Sequence, residues 1–374
     1  MVSSFFSSVV LFVQLCVVTM AEVASFFVGK ADFLVEGFKQ LVESALYKND
    51  NMALMALVSF ACVIYHYFVR REREIYVAQL YYYPIKGCRG TRVSEVELCP
   101  TGIKHDRRWM IVNHKGHMVT QRQIPKICQI CPLVLDDGAL LLRAPTMWSA
   151  VCPLKEDGLS IDGLKIWDDV VDGAVDQGDD VSDWLNDFLD TEGLRLVYMT
   201  KPDACTRVIP EKYNNRSILG NGPAVVGFAD AFGYLLLGVE SLTNLNLRIV
   251  KKGQDPLPME RFRPNIVTIG GKPFEEDTFE LIKIADCTFA GLKPCTRCIV
   301  TTTDQESGDQ AGIRGEPLVT FRSFRQDPDN KNKVYFGENL NQVLSKDKQG
   351  TDESTGVLRV GDKITVVRRK VPLV

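Results

Sequence analysis

The 374-residue sequence lacks the motifs that would place it at once in a common functional class. No GxGxxG or Walker sequence is present, which excludes the usual nucleotide-binding loops. Only four histidines occur, without a His-Glu-x-x-His pattern, so a zinc protease centre is excluded as well. There is no long basic run, and the net charge is −3, which argues against nucleic acid as the main partner. Haem, flavin and iron–sulfur motifs are also missing.

Cysteine is present, but not in the dense pattern of a small disulfide-stapled domain. The eleven cysteines are scattered irregularly, and 45% hydrophobic with 24% charged residues is the composition of a globular protein. We interpret the cysteines as mostly reduced thiols in a body that faces the cytosol. The chain is long enough for two ordinary domains, or for one large domain with an appendage.

The N-terminal region differs in kind from the rest. Residues 2–21 contain no charge, and residues 52–69 are apolar apart from one histidine, so both have about the length of a membrane span. Arg70, Arg71 and Arg73 follow the second run, which predicts a cytosolic body by the positive-inside rule. The alternatives are a buried core helix for the second run, and for the first a leader that is removed or bypassed by initiation at Met52.

Beyond residue 74 the pattern changes to short strand-like runs separated by turn residues. A hairpin is predicted with arms at 108–113 and 118–121, and a second over 358–367 turning at Gly361-Asp362. Further strands are predicted at 75–81, 139–142, 163–167, 194–199, 234–239, 266–271 and 279–284. Helices are predicted from Asp179 and over 240–250. Many short strands and few helices favour a β-barrel architecture over a doubly wound sheet.

Two CxxC pairs stand out, and the first is the weaker candidate for chemistry. Cys128 and Cys131 lie in a strand-like run, 127–134, where residues three apart point to opposite faces. Their distance from the second pair does not match zinc-ribbon spacing. We therefore interpret them as core thiols.

The second pair, Cys295 and Cys298, lies in a predicted loop that leads into the strand-like run 299–303. A thiolate beside Lys293 and Arg297 is expected to have a lowered pKa, which suits a metal ligand or a nucleophile. A thioredoxin-like redox motif would need a βαβ context, which is not evident. The residues alone leave open which of the two roles applies.

Basic residues recur near the predicted strand ends: Lys86, Arg107, Arg122 and Arg263. If they converge, they form a pocket for an anionic ligand such as a phosphate. The alternative for each taken singly is ordinary surface solvation.

Four of these segments together carry a resemblance. Tyr-Pro-Ile-Lys-Gly-Cys at 83–88, Asp-Arg-Arg-Trp at 106–109, Phe-Arg-Pro-Asn-Ile-Val at 262–267 and Pro-Cys-Thr-Arg-Cys-Ile-Val-Thr-Thr-Thr-Asp at 294–304 occur in the order typical of the MOSC superfamily. More narrowly, residues 75 to the C-terminus resemble the membrane-anchored amidoxime-reducing components. The implied fold is a β-rich α+β one.

The resemblance also implies a domain organisation. A membrane-anchor region is expected at 1–73, a MOSC N-terminal β-barrel module at 74–200 and a MOSC β-barrel domain at 201–374.

The resemblance further implies a molybdenum cofactor (Mo-molybdopterin) bound between the two modules. Cys298, the second cysteine of the motif, corresponds to the family's metal ligand and catalytic residue. The residues matching cofactor-binding positions are Lys86, Gly87, Arg107, Arg263, Asn265, Thr296, Arg297 and Asn339. The family usually has serine where this chain has Gly87, and a backbone N–H is the expected replacement for that hydroxyl.

The implied activity is reduction of small N-hydroxylated compounds (amidoximes, hydroxylamines and N-oxides), with removal of the N–O oxygen as water. Electrons are expected from cytochrome b5 and its NADH-dependent reductase, at a membrane that the resemblance makes the mitochondrial outer membrane. Two alternatives remain open: a sulfur-handling or cofactor-carrying MOSC protein, and a non-catalytic membrane-tethered binding module. The physiological substrate and the oligomeric state cannot be read from the sequence.

Overall fold

The computed structural model describes residues 73–200, 205–213, 224–344 and 353–373. The predicted membrane segments at 2–21 and 52–69 lie outside these residues. Within the described ranges, no helix has both the length and the apolar character needed to cross a membrane. Apart from Arg73, the described residues belong to one unit of the chain, Glu74–Val374.

The first half of this unit contains short strands and one regular helix, α1 (Asp179–Leu189). Its strands are β1 (Ile75–Tyr82), β2 (Thr91–Val93), β3 (Glu95–Cys99), β4 (Gly102–Ile103), β5 (Trp109–Val112), β6 (Cys131–Val134), β7 (Leu140–Arg143), β8 (Ala150–Cys152), β9 (Ser160–Ile161), β10 (Leu164–Ile166), β11 (Asp169–Val171), β12 (Ala174–Asp176) and β13 (Arg195–Met199).

The second half adds longer strands and two more helices, α2 (Val239–Val250) and α3 (Leu318–Phe321). Its strands are β14 (Arg207–Val208), β15 (Val225–Val226), β16 (Tyr234–Gly238), β17 (Ile266–Ile269), β18 (Phe279–Ile284), β19 (Cys287–Thr296), β20 (Tyr335–Gln342), β21 (Gly356–Arg359) and β22 (Lys363–Arg369). Single 3₁₀ turns occur at Pro125–Gln129, Glu211–Tyr213, Met259–Phe262, Glu275–Thr278, Ile299–Thr302 and Gly312–Arg314.

Seven strands form a closed barrel. Their order is β17-β16-β20-β19-β18-β22-β1, and β1 pairs back onto β17, so the ring has no free edge. Among the seven strands of the ring, only β16 and β17 pair in parallel, and α2 makes the crossover between them. The interior is filled by apolar side chains that are almost fully buried, among them Leu80, Leu236, Ile282, Phe289 and Leu340. The closed ring confirms the predicted β-barrel architecture.

The strand that closes the barrel comes from the start of the body. β1 pairs with β17 through Val77 and Thr268, and with β22 through Tyr76 and Lys363. It then leads directly into the first half of the sequence. The two halves of the body therefore share a strand rather than meeting only through a linker.

The described strands of the first half form several small sheets instead of a second closed ring. One has the order β5-β13-β12-β9, a second has β6-β7-β8, and β10 pairs with β11 as a hairpin. Their core surrounds Trp109 and the apolar face of α1, which buries Val181, Leu185 and Phe188. Asp179 and Asp180 begin α1 with negative charge where the helix dipole favours it.

Most predicted elements are present. Strands or helices occur at the predicted positions 75–81, 108–113, 139–142, 163–167, 179–189, 194–199, 234–239, 240–250, 266–271 and 279–284. The turn at 114–117 is also present, with the Asn113 N–H donating to the His117 carbonyl at 2.9 Å. The second arm of that hairpin is reduced to an isolated bridge between Val112 and Met118.

The predicted strand over 127–134 is wrong in its first half. Pro125–Gln129 is a 3₁₀ turn, and only Cys131–Val134 is a strand. Proline fixes its own φ and has no N–H to give to a ladder, so Pro125 begins a helical turn. Cys128 is fully buried and Cys131 half-buried, and the two lie in different elements.

The elements predicted around the second cysteine pair, a loop followed by a strand, are also wrong. Cys295 lies at the end of strand β19 rather than in a loop, and Ile299–Thr302 is a 3₁₀ turn rather than a strand. Threonine hydroxyls explain the second error, because they bond to nearby carbonyls and compete with a strand ladder. The Thr301 hydroxyl donates to the Cys298 carbonyl at 2.8 Å, and the Thr302 hydroxyl donates to the Ile299 carbonyl at 2.7 Å.

The C-terminal hairpin is wrong as well, although its turn is present. Gly361 has φ 95°, as the predicted turn requires, but β21 pairs with β3 whereas β22 pairs with β18 and β1. The backbone between the strands is bound elsewhere: the Val360 N–H donates to the Ser94 carbonyl and the Gly361 N–H to the Val77 carbonyl. The turn therefore moves the chain from one sheet to another.

Candidate functional site

A cavity of about 310 Å³ lies where the barrel strands β19 and β20 meet loops from the first half of the body. All the residues predicted from the sequence to form a site line this one cavity: Lys86, Gly87, Arg107, Arg263, Asn265, Thr296, Arg297, Cys298 and Asn339. The sequence predicted their convergence only through the resemblance, since they come from segments more than 200 residues apart.

Strand β19 and the segment directly after it bring the two cysteines to the cavity, and the pairing of β19 is irregular. Its register against β20 shifts between Gly291 and Lys293, and again between Pro294 and Thr296. Such bulges bend a strand and re-aim its side chains, and they are common beside functional sites. Cys298 then caps the 3₁₀ turn, and its carbonyl accepts the Thr301 N–H at 3.0 Å. Its half-buried thiol is thereby held at the cavity wall.

The two thiols do not have the same environment. Burial raises the pKa of the Cys295 thiol, and the nearby Arg297 guanidinium opposes only part of this rise. The expectation of a lowered thiol pKa in this motif is therefore wrong for Cys295. Its position at the end of a barrel strand, partly withdrawn from water, explains the difference.

Arg297 is fixed by backbone carbonyls rather than by a carboxylate. Its Nε donates to the Phe336 carbonyl at 2.8 Å and its Nη1 to the Phe262 carbonyl at 3.0 Å. Its Nη2 is buried and has no hydrogen-bond partner. The side chain therefore brings a positive charge and an unsatisfied donor into the wall of the cavity.

Arg107 and Arg263 lie against the same aromatic ring. Their guanidinium carbons are 4.4 Å and 4.3 Å from the Tyr83 ring centroid. Arg107 pairs with Asp106, whereas Arg263 donates to the Cys88 carbonyl at 2.5 Å. Burial lowers the pKa of Arg263, but a guanidinium stays charged at neutral pH. The aromatic ring thus allows two like charges to be held close together.

Asn265 is buried, and all the hydrogen-bonding positions of its side-chain amide are occupied. It accepts from Arg107 Nη1 at 3.0 Å and from the Leu235 N–H at 3.2 Å, and it donates to Asp106 and to the Tyr81 carbonyl at 3.2 Å each. An amide has two donors and two acceptor sites. In this structure Asn265 therefore orients Arg107 and leaves no side-chain group free for a ligand.

Lys86 also lines the cavity, in an almost dry position. Its ammonium donates to the Phe228 carbonyl at 2.8 Å and to Asp230 at 2.5 Å. Burial lowers the pKa of Lys86, and Asp230 opposes this effect. The Asp230 side chain is 69% exposed, and Lys86 brings the pKa of its carboxyl well below the usual value. Asp230 is therefore an ionised carboxylate at the cavity.

Trp167 completes the group around Asp230. Its indole N–H donates to Asp230 Oδ1 at 3.1 Å, and the Arg122 guanidinium lies 4.3 Å from its ring centroid. Both Trp167 and Arg122 are partly exposed and line the cavity. They belong to the part of the wall that is in contact with solvent.

Two further predicted residues are held by backbone interactions. Gly87, which stands where the resemblance predicts serine, has φ 88°, a conformation that is costly for residues with a side chain. Its carbonyl accepts from Gln121 Nε2 at 2.5 Å. Asn339 lies opposite Lys293 in the β19–β20 ladder and donates to the Lys293 carbonyl at 3.1 Å.

The cavity has a strongly positive wall. Its lining includes one carboxylate among the described residues, Asp230, against seven basic side chains: Lys86, Arg107, Arg122, Arg261, Arg263, Lys293 and Arg297. Arrays of this kind bind phosphate and other anions. Within the described ranges, no group of three or more His, Cys, Asp or Glu side chains could hold a metal ion.

Sequence analysis missed several residues of this wall. Asp230 and Arg261 lie in no motif, and Trp167 was assigned only as the end of a strand. Arg122 was noted as a basic residue but not placed in the site. Among these residues, only Trp167 had a local signal in the sequence. It directly precedes a pair of aspartates, a residue type that is typical of tight turns.

Comparison with known proteins agrees with this architecture. The MOSC N-terminal beta barrel domain matches residues 74–192, and the MOSC domain matches residues 223–365. The mitochondrial amidoxime reducing component 2 of Rattus norvegicus is 34% identical over 306 residues, covering 79% of this chain and 85% of that protein. The Homo sapiens component 2 is 32% identical, covering 79% and 85%, and its component 1 is 31% identical, covering 77% and 82%.

A solved structure, the YUAD protein of Bacillus subtilis, matches 78% of this chain and 94% of its own at 9% identity and a TM-score of 0.32, which carries no functional argument. The two domain matches and the curated relatives identify the family without this structure. With its N-terminal and C-terminal domains in the same order as the resemblance predicted, the chain belongs to the MOSC family and is a relative of the mitochondrial amidoxime-reducing components.

Proposed function

We propose that this protein is a molybdenum-cofactor-dependent reductase of N-hydroxylated compounds, and that the positive cavity beside Cys298 is its active site. The family relationship supports an oxidoreductase of the amidoxime-reducing type. The observation that carries the proposal is the combination of an anion-binding wall and a half-buried thiol in one cavity.

The residues present fit a phosphate-bearing cofactor. Two buried guanidinium nitrogens in the cavity residues, Arg297 Nη2 and Arg261 Nε, have no hydrogen-bond partner. Buried donors are nearly always satisfied, so they point to a missing acceptor. Arg263 and Arg297 are bonded to carbonyls, which leaves their charges available to a phosphate.

The thiol fits a metal that brings ligands of its own. The described residues offer no three-ligand protein site, so a metal bound at this wall would need most of its ligands from a cofactor. Cys298 would then supply the protein ligand, because burial raises the pKa of the neighbouring Cys295 thiol and makes it harder to ionise. When bound, the molybdenum cofactor supplies two-electron reduction at its metal.

The chain's own residues would bind and orient the reactants. Lys86, Arg107, Arg263 and Arg297 would hold the anionic cofactor. Reduction of an N–OH group takes up two electrons and two protons and releases water. Asp230 stays ionised, so it would accept a hydrogen bond from a substrate N–H or O–H and orient the N–O bond toward the metal.

Electrons and location are the parts of the proposal that rest on the resemblance. The sequence contains no haem, flavin or iron–sulfur motif, so a separate donor is required. We propose cytochrome b5 and its NADH-dependent reductase for this role, with the segments at 2–21 and 52–69 anchoring the protein in the mitochondrial outer membrane. Tethering the partners to one membrane would raise their effective concentration.

The first experiment measures molybdenum and pterin in the protein purified from a host that makes the cofactor. Cys298→Ala is compared with Cys295→Ala, a matched change three residues away in the same cavity. We expect near-stoichiometric molybdenum in the parent and in Cys295→Ala. In Cys298→Ala we expect pterin to remain, because the basic wall is intact, while molybdenum becomes labile and amidoxime reduction is lost.

Other results would redirect the proposal. Loss of molybdenum in Cys295→Ala but not in Cys298→Ala would move the ligand to the other thiol. Absence of both metal and pterin in the parent would contradict the reductase assignment and favour a non-catalytic binding module.

A further inference from the structure

Trp167 occupies a backbone position that is unfavourable for tryptophan. Ile166 pairs with Asp169 across β10 and β11, so the hairpin is closed by a two-residue loop, Trp167 and Asp168. Trp167 has φ 56°. Two-residue hairpin loops normally place glycine, asparagine or aspartate in this left-handed region, because a side chain there meets the following carbonyl.

Burial does not account for the presence of tryptophan in this loop. The side chain remains 38% exposed and is not part of any of the hydrophobic clusters of the described body. Three of its contacts lie at the cavity instead: the hydrogen bond to Asp230, the Arg122 guanidinium against its ring, and Lys86 at 6.0 Å from the ring centroid. Strain that is retained without burial commonly marks a functional position.

The ring adds a flat apolar surface beside the basic residues of the wall. Phe232, two residues beyond Asp230, is another aromatic residue lining the cavity, as are Tyr234 and Phe262. Trp167 is also held on two sides, by its N–H bond to Asp230 and by Arg122. An orientation fixed in this way suits stacking against a planar group more than contact with a flexible alkyl chain.

We infer that Trp167 is a specificity-determining wall of the substrate site and selects amidoximes whose amidoxime carbon is attached to a planar aromatic ring. This inference rests on the proposed function, because it assigns the substrate end of the same cavity. Asp230 would receive the polar N-hydroxy group, while the indole would contact the ring next to it.

The kinetic test compares an aryl amidoxime, benzamidoxime, with an alkyl one, acetamidoxime, using the complete protein loaded with cofactor. In Trp167→Gly we expect the ratio of kcat/KM for the aryl over the alkyl substrate to fall about threefold to tenfold, mainly through a higher KM for benzamidoxime. Trp167→Phe keeps an aromatic ring and should retain most of the preference. Trp148→Ala removes an exposed tryptophan that does not line the cavity and serves as the matched control.

Stability separates this role from a purely structural one. Because glycine suits φ 56°, Trp167→Gly should have a Tm equal to or above that of the parent, with unchanged molybdenum content. A lower Tm together with an equal loss of activity toward both amidoximes would overturn the inference. An unchanged aryl-to-alkyl ratio in a well-folded variant would overturn it too.

A binding measurement distinguishes failure of the inference from failure of the proposed function. Benzamidoxime should quench tryptophan fluorescence in the parent and much less in Trp167→Phe, whether or not turnover occurs. If the parent reduces neither amidoxime but this difference is seen, the reductase assignment fails and the aromatic wall stands. Equal quenching in the parent and in Trp167→Phe would refute the wall.

Discussion

At the scale of single residues, the cavity is held by side chains whose own bonds are largely to the backbone. Arg297 and Lys86 both donate to main-chain carbonyls before meeting any ligand. Residues that lie in compact motifs, such as Cys298 and Gly87, could be placed from the sequence. Asp230 and Trp167 could not, because their role depends on which distant segments fold beside them and not on their neighbours in the chain.

Gly87 permits a direct test at this scale. Its φ of 88° penalises any side chain, and an added Cβ would lie 3.3 Å from Ile127 Cγ2. We expect Gly87→Ala to lower the free energy of unfolding by about 1–3 kcal/mol in urea denaturation. Gly163→Ala is the matched control, since Gly163 also has positive φ, 71°, but no atom within 4 Å of its added Cβ. An equal loss in the two variants would mean that contact with Ile127 contributes nothing.

At the scale of elements, periodicity predicted the regular strands and failed where backbone bonding is irregular. The run 299–303 has the composition of a strand, yet threonine hydroxyls close it into a 3₁₀ turn. The sequence 358–367 contains a good turn, yet its flanking strands join different sheets. Neither outcome is encoded in local alternation, because each depends on partners elsewhere in the fold.

A buried carboxylate on β20 pairs with a lysine just beyond the end of β22, and its protonation should affect stability. Glu338 is fully buried and its Oε1 lies 2.5 Å from Lys370 Nζ. Burial raises the pKa of Glu338 to about 8, and Lys370 opposes part of this rise. A raised folded-state pKa means that the folded protein binds the proton more tightly. The stability that this proton contributes is therefore present in acid and is lost as the pH rises toward 8.

We expect Glu338→Gln to flatten the fall in unfolding free energy between pH 5 and pH 8, by up to about 1.4 kcal/mol per pH unit. Denaturant titrations at several pH values measure the effect. Glu97→Gln serves as the control: Glu97 pairs with Lys104 at the surface, and that hydrogen bond lowers its pKa. Its replacement should therefore change the slope of stability against pH only in the acid range and leave the slope between pH 5 and pH 8 as it is. A wild-type pH slope that survives in Glu338→Gln would exclude this carboxyl as its source.

At the scale of the whole molecule, a β-barrel could be predicted from the sequence, but the set of strands that forms it could not. The many short strands and turns indicated a barrel, whereas nothing in residues 75–82 signalled that they close a ring with strands near the C-terminus. The apolar pattern of β1 would suit a sheet in either half. Its placement follows from the shape of the complete core.

The shared strand predicts how the body responds to division. A chain that begins at Ala224 lacks β1, and so leaves β17 and β22 with unpaired edges and an open core. We expect it to be unfolded or aggregated by circular dichroism and size-exclusion chromatography. A chain that begins at Glu74 should unfold in a cooperative transition. A soluble, folded product from Ala224 onward would show that the ring does not need its first strand.

The position of β1 in the sequence also determines when the barrel can close during synthesis. Glu74, just before β1, pairs with Lys363 of β22, 289 positions later. On the ribosome β1 emerges first among the strands of the body and β22 emerges last. The ring cannot close until β22 has been synthesised, because its final partner does not exist before then, and closing so long a loop carries an entropic cost. The sheets of the first half can form earlier, whereas the barrel, and with it the cavity wall on β19 and β20, is completed only after β22 has left the ribosome.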